Sequence, residues 1–233
     1  MSCKVWSRLK VTRKDGSEVK LRFQDMPWEQ NKNDILDFCA KYFIKDEAFH
    51  KAAGIYKNEE AVAEYKTIIS NYYDISPIHI TVCCLDDDSK TIDILGLSMI
   101  CEFKDQSGKE DAFKTMEKKT KEMQNFFHIL ELNSDIKIKD YQSYFEGRGI
   151  IVRPDQRGLG MASEFVRLRK EICIDRNIDM TCAWMTSIGT QKAAEKHKWK
   201  TFYELPVEEL EKASGLVFDV NVSIFKLMYT TRN

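Results

Sequence analysis

The sequence predicts an α/β fold, and three observations carry that expectation. Two short strand-like segments joined by an Asp-Gly turn open the chain, helical apolar spacing then alternates with short apolar runs, and late in the chain an apolar run passes through a glycine-rich turn into a helical segment. Val5 to Thr12, the turn Lys14-Asp15-Gly16-Ser17 and Glu18 to Phe23 make the predicted N-terminal hairpin, about residues 4–24. From Asn33 onward Ile35, Leu36, Phe38, Cys39, Tyr42 and Phe43 recur at three- and four-residue spacing, which predicts a helix ending near Asp46-Glu47. A second helix is expected from about Glu59 to Tyr72. Pro77 opens a β-branched strand, Ile78 to Leu85, the polar turn Asp86-Asp87-Asp88-Ser89-Lys90 reverses it, and Thr91 to Phe103 returns as a longer strand.

Lys104 to Lys121 is rich in lysine and glutamate, with Phe113, Met116 and Thr120 on one helical side that continues through Met123, Phe127 and Leu130. Glu110, Asp111, Glu117 and Glu122 interleave with the lysines, so the stretch reads as a solvated helix face in preference to a nucleic-acid patch. Tyr141 to Phe145 precedes a short apolar strand, Gly149 to Val152. The turn Arg153-Pro154-Asp155-Gln156-Arg157-Gly158-Leu159-Gly160 follows. A helix from Ala162 to about Arg176, a strand from Met180 to Met185, a helix from Gln191 to His197 and a strand region from Phe218 to Tyr229 complete the chain. No repeat, low-complexity tract or linker interrupts it, so residues 1–233 are expected to form a single domain.

Apolar residues make up 43% of the chain and charged residues 31%, a globular composition. Lysine plus arginine (36) balances aspartate plus glutamate (37), and this near-neutral field gives no reason to expect nucleic acid or an anionic membrane as a partner. Met1 to Lys10 lacks an apolar core, and no stretch approaches 18 uninterrupted apolar residues, so neither secretion nor membrane spanning is expected. The seven cysteines are odd in number and contain no C-x-x-C, which reads as reduced, cytoplasmic usage; Cys83 and Cys84, in an apolar run, read as buried. The four histidines form neither H-E-x-x-H nor H-x-x-x-H, and no serine lies in G-x-S-x-G, which sets metal-dependent and serine hydrolysis aside. His50, close to Glu47 in sequence, reads either as a surface or capping residue or as part of a ligand pocket.

The glycine-rich turn is the most informative segment. Gly158 and Gly160 permit unusual backbone dihedrals, the following helix start offers unpaired N–H groups and a positive dipole end, and Arg157 adds a permanent charge. These features suit a phosphate, although a glycine pair after a strand is also found in plain tight turns. G-x-x-x-x-G-K-[ST] is absent, and the dinucleotide fingerprint would place Ser163 at its third glycine. What the residues match is R-x-x-G-x-A, here Arg157, Gly160 and Ala162. This resembles motif A of the GNAT acetyltransferases.

Two further segments resemble the insect arylalkylamine N-acetyltransferase branch of that superfamily. Tyr42 to Phe49 is similar to F-x-K-D-E-P-L, with Ala48 in place of proline and Phe49 in place of leucine. Met185 to Trp199 is similar to S-x-x-x-S-x-x-x-x-E-K-x-G-F, with Thr186 and Thr190 on the two serines, Lys198 in place of glycine, and Ala194 where many GNAT enzymes carry an acidic tyrosine. The resemblance implies a three-layer α/β/α fold with a mixed, mostly antiparallel central sheet, splayed where acetyl-CoA enters through a motif spanning about residues 149–176. It implies contacts to this cosubstrate from Ile150, Ile151, Val152, Arg157, Gly158, Leu159, Gly160, Met161, Ala162 and Ser163, with Ser187 as a further candidate. It implies no metal, a small primary amine as acceptor (an arylalkylamine such as dopamine, tyramine or serotonin, or a polyamine or agmatine), and a monomer or weak homodimer.

The chemistry gives Glu47 a task. An alkylamine with pKa near 10.4 is neutral in only about one molecule in a thousand at pH 7, a scarcity worth roughly 4–5 kcal/mol, and a positioned carboxylate offsets it. On the resemblance Glu47 is the general base. Thr186 and Thr190 are either hydrogen-bond donors toward the departing thiolate or caps of the helix near Gln191.

Overall fold

Strands β1 (Val5–Thr12) and β2 (Glu18–Asp25) pair antiparallel about a turn at Gly16, whose φ of 83° is the left-handed conformation that an Asp-Gly turn supplies. β2 pairs with β3 (Ile78–Leu85), β3 with β4 (Gly96–Lys104), and β4 with β5 (Ser143–Val152), all antiparallel. β5 then runs parallel to β6 (Met180–Met185), and β8 (Ile224–Thr231) lies antiparallel between β6 and β7 (Lys200–Pro206). The resulting order is β1-β2-β3-β4-β5-β6-β8-β7, seen in a computed structural model that describes residues 3–87, 92–104, 116–133, 141 and 143–233.

Both faces of this mixed sheet are covered, and the period-2 alternation of the strands shows why. On β4, Leu97, Met99 and Cys101 enter one core with Ile80 and Val82 of β3, while Ile100 turns to the other face and packs with Phe23 and Cys83. The first core is closed by α1 (Trp28–Phe38), α2 (Ala48–Ala53), α3 (Glu59–Ile75), α4 (Lys121–Leu132) and α7 (Val207–Ser214). The second is closed by α5 (Met161–Arg176), and α6 (Ile188–Lys196) packs beside α5 on Ala193 and Ala194. α3 and α4 are tied by Glu64, whose carboxylate accepts from the Thr120 hydroxyl (2.6 Å) and the Thr120 N–H (2.8 Å).

The sheet opens in the middle. β5 and β6 pair only from Tyr144–Glu146 to Met180–Cys182; beyond that point β5 continues to Val152 bonded to β4 alone. A bulge leaves Arg148 without a counterpart between Gly147 and Gly149. Arg169 of α5, 2% exposed, ties β4 to β5 beside this opening by donating to Ser98 Oγ (3.1 Å), Met99 O (3.3 Å) and Gly149 O (3.1 Å). Burial pulls its guanidinium down to about 10, which leaves it charged at neutral pH.

Several boundaries differ from the sequence expectation. The first helix starts at Trp28, immediately after Pro27, and runs through a π-helical turn (Cys39–Phe43) to Ile44–Asp46. Glu47 breaks it and starts the separate α2. Residues 143–145 and 149–152 belong to one strand, β5, because a bulge absorbs Gly147-Arg148. β4 begins at Gly96, later than expected, and β7 and α7 are additional. Residues 105–115 of the charged stretch and 88–91 of the β3–β4 turn lie outside the described residues; residues 116–120 are not helical. Lys198 stands where the resembling segment has glycine, and it adopts φ 58°. That conformation costs an L-residue about 1–2 kcal/mol. Lys198→Gly is therefore expected to raise the unfolding free energy by about 1 kcal/mol in urea titration.

Six of the seven cysteines are buried, and burial lifts the Cys39 and Cys173 thiols to about 12. Cys83 and Cys84 are among them, as their apolar run predicted. No helix among the described residues is long and apolar enough to cross a membrane.

Candidate active site

The opening between β5 and β6 leads into a cavity of about 820 Å³, which brings together the three segments singled out from the sequence. Its wall includes Arg157, Gly158, Gly160, Met161, Ala162 and Ser163 from the glycine-rich turn and helix start, Ile150 to Val152 from β5, Glu47, Thr186, Ser187 and Thr190, and the aromatic side chains of Tyr42, Tyr65, Tyr73 and Phe126. Leu159 is not on the wall; its side chain packs against the second core.

The glycines have the conformations that the turn required. Gly158 has φ 85° and Gly160 φ 79°, and a Cβ on either would meet nothing within 4 Å, so here glycine serves backbone shape and leaves open space. Gly160 is the N-cap of α5 and no side chain caps that helix, so its first N–H groups are free to meet an anion. α6 also starts at this cavity. Its cap is Ser187, which accepts from the Thr190 N–H (3.3 Å), so the helix begins three residues before the expected Gln191 and neither threonine is the cap.

Arg157 is half-exposed and paired with Asp46 across the cavity mouth. The Ser163 hydroxyl lies 2.9 Å from Nε2 of His197, whose pKa is lowered, first by burial and then by Lys196. Thr190 Oγ1 donates to Ser187 O (3.0 Å) and lies 3.0 Å from Ser187 Oγ.

Glu47 is the most constrained polar group in the cavity. Its Oε2 accepts from the N–H groups of Phe49 (3.0 Å) and His50 (3.1 Å) as the N-cap of α2, and from Nδ1 of His50 at 2.5 Å; its Oε1 accepts from the Thr186 hydroxyl at 2.9 Å. Burial acts to raise the carboxyl pKa, but the hydrogen bond and charge of His50, the backbone N–H and Thr186 together hold it below the usual carboxylate range. Glu47 is thus an anion at neutral pH on the wall of a cavity that Tyr65, Tyr73 and Phe126 also line.

This has a consequence for acid stability. The unfolded chain protonates Glu47 near its ordinary value of about 4.3, whereas the folded chain resists protonation, so the unfolded state binds more protons as pH falls. The stability advantage of the wild type over Glu47→Gln should be complete above the ordinary carboxylate range and should shrink as pH falls through the depressed folded value. Urea unfolding of both proteins along a pH series measures it; an advantage independent of pH would contradict the assignment.

Tyr65, Tyr73, Phe126 and Arg148 line the cavity and were not singled out as functional from the sequence. Arg148, placed on the cavity wall by the bulge, donates to the Tyr72 hydroxyl (3.1 Å) and faces Glu146 at 3.6 Å. His197 meets Ser163 only through the packing of α5 on α6. Among the described residues no group of three or more His, Cys, Asp or Glu could hold a metal ion.

No protein-family model and no curated protein matches the sequence. Solved structures do match it. A protein of the yellow fever mosquito Aedes aegypti assigned as arylalkylamine N-acetyltransferase 7 has 19% identity and a TM-score of 0.80, covering 100% of this chain and 97% of that one. Arylalkylamine N-acetyltransferase 2 of the same mosquito has 16% identity and a TM-score of 0.70, over 91% of this chain and 99% of that one. The Drosophila melanogaster polyamine N-acetyltransferase that forms N-acetylagmatine has 10% identity and a TM-score of 0.66 over the same shares. The chain therefore has the fold of these N-acetyltransferases over its whole length, as the sequence resemblance implied.

Proposed function

We propose that this protein is an acetyl-CoA-dependent N-acetyltransferase that acylates a small primary amine by direct transfer in a ternary complex. The observation that carries the reading is the convergence on one cavity of an uncapped helix start, the half of β5 that β6 leaves unbonded and a partly buried, ionised Glu47. The residues fit the cosubstrate: the open space at Gly158 and Gly160 and the free N–H groups of Met161, Ala162 and Ser163 suit a pyrophosphate, with Arg157 beside them. Ile150, Ile151 and Val152 offer strand backbone that β6 leaves unbonded, which suits the amide-bearing arm of acetyl-CoA. When bound, acetyl-CoA supplies the thioester whose acyl carbon the amine attacks.

The chain's own groups account for the rest. Glu47 attracts the ammonium and lowers the cost of removing its proton, and Thr186 orients the carboxylate through Oε1. Thr190 and Ser187, hydrogen-bonded to each other at the start of α6, provide hydroxyls and a helix dipole that favour a thiolate. The aromatic end, with Tyr65, Tyr73 and Phe126, favours an arylalkylamine acceptor, while the solved neighbours include both arylalkylamine and polyamine enzymes. All these groups come from one chain, so a monomer suffices, and the burial that raises the Cys39 and Cys173 thiols suits a reduced, cytoplasmic setting.

Initial rates of thiol release across a matrix of acetyl-CoA and amine concentrations test the proposal. Intersecting reciprocal lines are expected. Parallel lines would indicate an acyl-enzyme, and no release with any primary amine would overturn the reading.

A further inference from the structure

His197 is the C-cap of α6, yet its ring reaches back to the start of α5. Its Nε2 lies 2.9 Å from Oγ of Ser163, 34 residues earlier in the chain; Ser163 lines the cavity, whereas His197 is half-buried and not on its wall. Ser163 is the third residue of α5 after the Gly160 cap. The first intrahelical bond of α5 runs from the Glu164 N–H to Gly160 O (3.0 Å), so the N–H groups of Met161, Ala162 and Ser163 remain for an anion.

The Ser163 hydroxyl has a single proton, and the imidazole decides where it points. With Nε2 bare, the proton is drawn to the ring and the oxygen lone pairs are left for the anion, which repels them. With a proton on Nε2, the ring donates to Oγ and the hydroxyl is free to donate into the cavity, beside the three N–H groups. Burial, then Lys196 of α6 and Arg167 of α5, lower the His197 pKa against the pull of Glu164, so at neutral pH the ring is uncharged and has one N–H to place.

We propose that His197 is a positioning residue for the cosubstrate: it donates Nε2–H to Ser163 Oγ, so that the serine hydroxyl donates to the pyrophosphate of acetyl-CoA. This rests on the acetyl-CoA reading above. Two hydrogen bonds in series carry the effect, with no proton transferred and no bond broken. α6 then serves the cosubstrate from both ends, since Ser187 and Thr190 at its start line the cavity and His197 at its end acts through Ser163.

Calorimetric titration with coenzyme A tests this on Ser163→Ala, His197→Leu, His197→Gln and the Ser163→Ala/His197→Leu double variant. Leucine keeps bulk and donates nothing, while the glutamine amide can still donate to Ser163 Oγ. Ser163→Ala and His197→Leu are each expected to weaken binding about 3- to 10-fold, and the double variant no more than either alone, because both remove one relay. His197→Gln is expected to recover most of the loss. Wild-type affinity in either single variant, additive losses in the double variant, or a glutamine no better than leucine would overturn the proposal and leave acetyl-CoA binding standing. A wild type that does not bind coenzyme A would overturn the acetyl-CoA reading itself, and this proposal with it. If His197→Leu does not fold, ¹⁵N imidazole spectra of the wild type with coenzyme A bound decide: a proton on Nε2 is expected, and a bare Nε2 overturns the assignment.

Discussion

Glu47→Gln is expected to lower turnover by about 10²- to 10⁴-fold while acetyl-CoA binding stays within about threefold of wild type. The substitution keeps the side chain's size and removes its charge. A glutamine carbonyl can still accept from the Phe49 and His50 N–H groups, so α2 keeps a cap, but the amide can no longer attract an ammonium or take its proton. The phosphate-binding end is built by other elements, Gly158 to Ser163, so cosubstrate affinity should be spared. Steady-state thiol release and calorimetry on the same preparation measure both quantities. Unchanged turnover would remove Glu47 from the chemistry, and a parallel loss of acetyl-CoA affinity would mean that it shapes the cosubstrate site instead.

Arg169→Leu is expected to cost about 2–5 kcal/mol of stability, near the upper range for single substitutions. Arg169 satisfies the carbonyls of Met99 and Gly149 at the point where the sheet opens and the bulge interrupts the β4–β5 ladder. Leucine would leave these carbonyls and the Ser98 hydroxyl short of a donor in a buried place. Gly147 shows how tightly the cation is fitted, since a Cβ there would lie 2.6 Å from Arg169 Nη1 and 2.5 Å from Ala183 Cβ. For a chain of this length the loss corresponds to about 5–15 °C in Tm, readable by thermal melting. An unchanged or raised Tm would show that removing a buried cation outweighs the lost hydrogen bonds.

Local chemistry decided which parts of this molecule were legible in the sequence. The hairpin was legible because Asp15-Gly16 specifies its turn, β3 because all its residues but His79 are β-branched or apolar, and the turn into α5 because Gly158 and Gly160 have a backbone task no other residue performs as well. Glu47 was legible only through the resemblance of Tyr42 to Phe49, since two acids at a helix end by themselves read more readily as a solvated pair. α2 escaped notice because a six-residue helix has no periodicity to detect and depends on the Glu47 cap. β5 read as two pieces because Gly147 and Gly149 look like breaks in one dimension, whereas in the sheet they flank a bulge. β7 lacked an apolar signal because most of it is exposed. The anchoring role of Arg169 depends on partners in two distant strands. Such tertiary relations leave no local mark.

The central claim is transfer of an acetyl group to an amine nitrogen, and identification of the product tests it most directly. Purified protein incubated with acetyl-CoA and a panel of arylalkylamines, polyamines and agmatine, then resolved by chromatography and mass spectrometry, is expected to yield an N-acetylated amine, with arylalkylamines turned over most efficiently. Acetyl-CoA recovered intact beside unmodified amines, under conditions where calorimetry shows it bound, would contradict the account and leave a protein that holds the coenzyme without using it on a small amine.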